Sequence, residues 1–135
     1  MMRKTMFRVL GGICLAGVGL VHAGGMDDMP GMAGTKAAAG PEVTLVGEVV
    51  DMDCYMNEGL HGSGHQACAV LCLHNGSPVG LLTDDGKAYF LSADKDKIKA
   101  YNLVRTLGGD RVKVTGVMRE RGGARCLNVD GASKL

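Results

Sequence analysis

Val112-Lys-Val-Thr-Gly-Val-Met118 alternates apolar and polar residues at the period of a half-buried strand. Leu45-Val-Gly-Glu-Val-Val-Asp51 carries a second β-branched run. Each strand has an apolar face that must be covered, so the chain between them has to supply partners. Val43 to Met52 is predicted as one strand, with Gly47 allowing a bend or a bulge. Val79–Thr83 and Lys87–Ser92 are predicted as a hairpin, and Asp85-Gly86 is the pair that a tight primed turn prefers. Asp94 to Leu107 reads as a helix capped by Asp94, with Ile98, Tyr101, Val104 and Leu107 on one stripe and Gly108-Gly109 as the stop. Gly122-Gly123 turns the chain into a last strand, Ala124 to Gly131. In that strand Leu127 and Val129 share a face, and Cys126 points the other way beside Asn128 and Asp130.

The order is strand, Cys/His segment, hairpin, helix, hairpin. Five strands with a helix before the last pair predict a small, mainly β, α+β domain over residues 43–135. Its expected form is a half-open, five-stranded barrel with two helices, similar to the oligonucleotide/oligosaccharide-binding (OB) fold. A sheet packed against two helices is the alternative.

The chain begins MMRKTMFRVLGGICLAGVGLVHAGG. Arg3, Lys4 and Arg8 precede an apolar run from Val9 to Val21, and Val21-His22-Ala23 offers small residues at the cleavage positions. That layout predicts a signal peptide over residues 1–23 and a periplasmic or secreted destination. The run falls short of the roughly 20 residues a membrane span needs, which disfavours an uncleaved anchor. Ile13 before Cys14 is not the small residue that a lipid-attachment signal uses. Removing the three basic residues of this segment from 15 leaves 12 against 14 acidic residues, a net charge near −2. That charge suggests neither a nucleic acid nor an anionic membrane surface as partner, and no second apolar stretch is long enough for stable membrane insertion of the remainder. A protein or small-molecule partner stays open.

Residues 24–42 are Gly-, Ala- and Met-rich and too poor in large apolar groups to offset chain entropy, which predicts a flexible arm. Met26, Met29 and Met32 recur at spacing three. Their thioethers could bind Cu(I), although such a repeat is more often an inert tether.

Residues 53–76, DCYMNEGLHGSGHQACAVLCLHNG, hold three of the five cysteines and three of the four histidines. A short helix is predicted after Gly64, ended by Asn75-Gly76. At about 100° per residue, His65, Cys68 and Cys72 share an arc of roughly 60° on its face. Cys54, leaving the first strand, could add a fourth donor. Cys54, His65, Cys68 and Cys72 make a Cys₃His set that suits tetrahedral zinc, and also copper as Cu(I). His61 and His74 lie outside the arc or at its ends, as accessory groups. The competing expectation is a disulfide from Cys54 to Cys68 or Cys72, since small exported domains commonly use such staples. It would close a loop of about 15 residues, worth roughly 3 kcal/mol in the loop-entropy model. A redox-active thiol pair is a third option.

Other chemistries lack their motifs. The haem pattern C-x-x-C-H is absent because three residues separate Cys68 from Cys72 and Leu73 precedes His74. There is no nucleophile elbow, P-loop or Ser-His-Asp order, and no catalytic residue is assigned.

Gly47-Glu-Val-Val-Asp-Met-Asp-Cys-Tyr55, His65-Gln-Ala-Cys-Ala-Val-Leu-Cys72, Gly76-Ser-Pro-Val-Gly-Leu-Leu-Thr83 and Gly109-Asp-Arg-Val-Lys-Val-Thr-Gly116 together resemble a group of small exported bacterial proteins. Those proteins share a Cys-Tyr … His-x-x-Cys-Ala-x-x-Cys block, and the likeness covers most of residues 45–118. It implies an exported OB-like domain with a site at Cys54, His65, Cys68 and Cys72, and no particular activity. Cys126 and the Met arm fall outside it.

Overall fold

The structure, a computed structural model, describes residues 40–135. The predicted signal peptide, Met26, Met29, Met32 and nearly all of the arm lie outside the described residues.

Five strands form a closed barrel in the order β1-β2-β3-β5-β4, where β1 is Glu42–Asp51, β2 Val79–Thr83, β3 Ala88–Ala93, β4 Arg111–Arg121 and β5 Ala124–Lys134. Three α-helices accompany them: α1 (Met52–Glu58), α2 (Gln66–His74) and α3 (Ile98–Arg105). The domain is OB-like and mainly β, as the element order predicts. The barrel is closed rather than half-open, because β3 and β5 pair in parallel from Phe90↔Cys126 to Ala93↔Val129. Among the described residues no helix is long and apolar enough to cross a membrane.

β1 makes closure possible by serving two neighbours. Its first half pairs with β4 and its second half with β2, and Gly47 lies opposite both Val112 and Thr83. A Cβ on Gly47 would sit 2.4 Å from the Leu82 carbonyl oxygen, so the strand bends there only because no side chain intervenes. At Asp84–Gly86 the expected two-residue turn is instead a three-residue loop. The Thr83 amide donates to Lys87 O at 2.9 Å, and Gly86 takes φ +77°. Thr83 Oγ1 also donates to Asp85, which draws one more residue into the turn. α3 starts four residues later than expected. Asp94 closes a local turn, accepting from the Asp96 amide at 2.8 Å, and accepts from Asn128 Nδ2 at 3.2 Å. Its side chain is thereby committed before the helix begins.

The barrel is filled by Val49, Val79, Leu81, Leu91, Val112, Val114, Leu127 and Val129, with Leu73 from α2 and Val104 from α3. Leu127 and Val129 point inward and Cys126 does not, as the period-two pattern requires. Leu73 is fully buried and anchors α2 on the barrel. Arg105 of α3 ties down the same C-terminal end of that helix, donating to Leu73 O at 2.8 Å and to His74 O at 3.4 Å. Both carbonyls lie beyond the last intrahelical donor, and Leu73 O also accepts from the Gly76 amide at 3.3 Å.

Candidate metal centre

Everything of interest lies in the β1–β2 connection. β1 ends at Asp51, which is 1 % exposed. The Asp51 side chain caps α1 by accepting from the Asp53 amide at 3.0 Å. Seven residues of helix follow, ended by Gly59. Cys54 therefore sits in the first turn of a helix rather than at a strand exit, because Asp51 can both finish the strand and start the helix. A 3-10 turn, Ser63–His65, leads into α2, so His65 precedes that helix as its N-cap and is not on its face.

Along α2 the i, i+4 row Ala69–Leu73 is buried in the core. The Cys68–Cys72 row lies one residue round from it, beside the barrel rather than within it, with the two sulfurs 3.9 Å apart. α2 can lie this close because the α3–β4 connection carries no side chain where it passes. Gly109 has φ +76°, and a Cβ there would fall 2.9 Å from Gln66 Cα. Gln66 Nε2 then donates to Asp110 Oδ1 at 3.0 Å, latching the start of the helix.

The result is a cluster centred on Cys54. One ligand atom each from Cys54, His65 and Cys68 lies within 4.8 Å of the other two, and the same holds for Asp51, Cys54 and Cys72. With the 3.9 Å separation of Cys68 and Cys72, the three sulfurs form one triangle. Of the predicted ligands, His65 and Cys68 join Cys54 in one group, while Cys72 joins Cys54 in the other with Asp51, and either group could hold a metal ion. Sequence reasoning missed Asp51. The signal was a carboxylate directly after the buried pair Val49-Val50 and directly before a helix, where Asp is a preferred cap.

Two atoms lack what burial normally demands. Asp51 Oδ2 and His65 Nε2 are buried without a hydrogen-bond partner. Burial works to raise the Asp51 pKa. The Cys54 thiol, the Asp53 amide, and the Cys72 and Ser77 side chains face the carboxylate and outweigh it, so the net shift is downward. No donor among them reaches Oδ2 with hydrogen-bond geometry. The same carboxylate pushes the Cys54 thiol up to about 12, through its hydrogen bond first, then through desolvation and its charge. Burial chiefly, with Cys68 and Asp51, raises Cys72. In the metal-free, reduced domain the sulfurs of Cys54 and Cys72 are therefore thiols at neutral pH.

A pH dependence follows from Cys54. Between about 9 and about 12 the unfolded chain has lost this proton and the folded chain keeps it. The unfolded state then binds fewer protons, so stability falls as pH rises through that window. Urea midpoints of the metal-free, reduced protein on either side of pH 9 should show this fall, and a Cys54→Ser variant should show less of it.

All four described cysteines carry free thiols. His61 is not part of the cluster. Its Nδ1 lies 3.5 Å from Glu48 Oε2, Glu48 also accepts from the Gly62 amide, and the His61 ring meets Tyr55 edge-on at 6.1 Å. These contacts hold the Gly-rich loop against β1. His74 is exposed and lines a separate groove of about 410 Å³ with Val70, Asn102, Arg105 and Thr106. Cys126 lies on β5, opposite Phe90 and Arg119 of the neighbouring strands. No family model matches the chain, and comparison with curated proteins finds no match.

Proposed function

We propose that the domain is a small metal-binding module of an exported protein, a binding module rather than an enzyme. It would hold zinc through Cys54, His65, Cys68 and Cys72, with Cu(I) as the alternative occupant. The observation that carries this reading is the His65 ring nitrogen. Nε2 is buried without a partner, while a ring nitrogen of His65 lies within 4.8 Å of the Cys54 and Cys68 sulfurs. A cation that accepts imidazole and thiolate together fits this donor group, and zinc binds such mixed sets tetrahedrally. When bound, zinc would supply a fixed point joining α1 to α2, and each ligating thiol would give up its proton to solvent. Export is supported by the layout of residues 1–23 and by the resemblance to small exported proteins.

The test is intact-mass spectrometry, native and denaturing, on full-length protein expressed with its own leader and purified from the periplasm, with thiol labelling before and after a chelator. The expected result is a chain shortened by residues 1–23 that carries zinc, with Cys54, Cys68 and Cys72 labelled only after chelation. Cys68→Ser should lower zinc occupancy with little loss of thermal stability in the metal-free protein, because Cys68 is exposed. Thiols that label freely without chelator, on a chain that binds no added zinc, would refute the reading.

A second reading is favoured by the closeness of the sulfurs. Cys54 lies within reach of Cys68 and Cys72, so oxidation could staple α1 to α2. The domain would then be a disulfide-stabilised module whose barrel face meets a protein or small-molecule partner, with a thiol redox accessory as the remaining alternative. Denatured protein lighter by two hydrogens, and unreactive to thiol reagents with or without chelator, would decide for the staple.

A further inference from the structure

A single cation in the Cys₃His set leaves one group unexplained. Asp51 is 1 % exposed, and its Oδ2 is buried without a partner. One oxygen of the Asp51 carboxylate lies within 4.8 Å of the sulfurs of Cys54 and Cys72. In the reduced, metal-free domain those sulfurs lie beside the carboxylate without a hydrogen bond to Oδ2. Once a metal replaces the thiol hydrogens, the carboxylate faces two thiolates. Three thiolates and one carboxylate carry four negative charges, and one divalent cation offsets only half of them. The Asp51 carboxylate is buried and Cys54 and Cys72 are half-buried, so like charges at this separation disfavour one another.

The donor geometry offers a resolution. Cys54, His65 and Cys68 make one three-donor group, and Asp51, Cys54 and Cys72 make another, with Cys54 common to both. Three protein donors and an open position are a normal zinc environment, and zinc accepts carboxylate oxygen as well as thiolate. Two divalent cations would balance the four negative charges and give Asp51 Oδ2 a partner. We propose that the cluster is a two-zinc centre in which the Cys54 thiolate bridges the ions, with His65 and Cys68 completing one half and Asp51 and Cys72 the other. This deepens the metal-binding reading and rests on it. Zinc–sulfur bonds form as the three thiol protons leave to solvent, and no electron is transferred. The first zinc takes the Cys₃His set, and the second draws Cys72 toward Asp51.

The experiment counts zinc on the reduced full-length protein by native mass spectrometry, after loading with excess Zn²⁺ and desalting. Wild type is expected to hold two ions. Asp51→Asn is expected to hold one, because the amide keeps the helix cap but is a poor ligand. Cys72→Ser is expected to hold one as well, on Cys54, His65 and Cys68, and it carries the test if Asp51→Asn does not fold. Two ions in wild type and one in a folded variant support the bridged centre. One ion in wild type, or two retained in both variants, overturns it while leaving the Cys₃His reading intact. No ion in wild type overturns both.

Discussion

Cys54→Ala should reduce zinc affinity more than any other single change in the cluster. Its sulfur belongs to both three-donor groups, so its removal takes a ligand from whichever set a cation uses. Changes to residues that only support metal ligands already cost about 10–100-fold in affinity, and loss of a shared ligand should exceed the upper figure. Competition with a chromophoric chelator measures this directly. Cys54→Ser is the companion variant. A hydroxyl can still donate to Asp51, so the metal-free fold should survive with the thiolate gone. A Cys54→Ala protein that holds zinc as tightly as wild type would move the centre away from this residue.

The second large effect is on stability, at Leu73. This side chain is fully buried and carries α2 into the barrel core. Leu73→Ala removes buried methyl and methylene groups and leaves a cavity, at a cost of about 3 kcal/mol. For a domain of this size that corresponds to a fall in Tm of roughly 12–24 °C. Because α2 also bears Cys68 and Cys72, the same substitution loosens two ligands. Zinc at about 100 times its Kd should return about 2.7 kcal/mol to a chain that binds it only when folded. Thermal unfolding with and without Zn²⁺ gives both numbers. A Leu73→Ala protein with unchanged Tm would mean that α2 is not anchored by this residue.

These two residues also divide what local pattern reveals from what it hides. The Cys/His block was legible because four soft or borderline donors within one short stretch are rare by chance, and because a helix after Gly64 brings Cys68 and Cys72 onto one row. The role of Leu73 was not legible. It lies among the apolar residues Ala69, Val70 and Leu71, and only packing against β1 selects the Ala69–Leu73 row for burial while Leu71 stays 60 % exposed. The helix carrying Cys54 was missed for a related reason. Met52–Glu58 is one short, weak helix whose stability comes from the Asp51 cap and from tertiary contacts rather than from propensity.

By itself the sequence determined the alternation that turns Leu127 and Val129 inward and Cys126 outward, the number of the strands and their order along the chain, and the three residues, His65, Cys68 and Cys72, that lie near Cys54. Each of these depends on spacing along the chain, which is a local quantity. Closure of the barrel through the parallel β3–β5 pair, the passage of Gly109 beneath Gln66, and the burial of Asp51 against the thiols were decided only in three dimensions. They depend on which distant segments meet, and a carboxylate reads as an ordinary polar residue until its neighbours remove it from water.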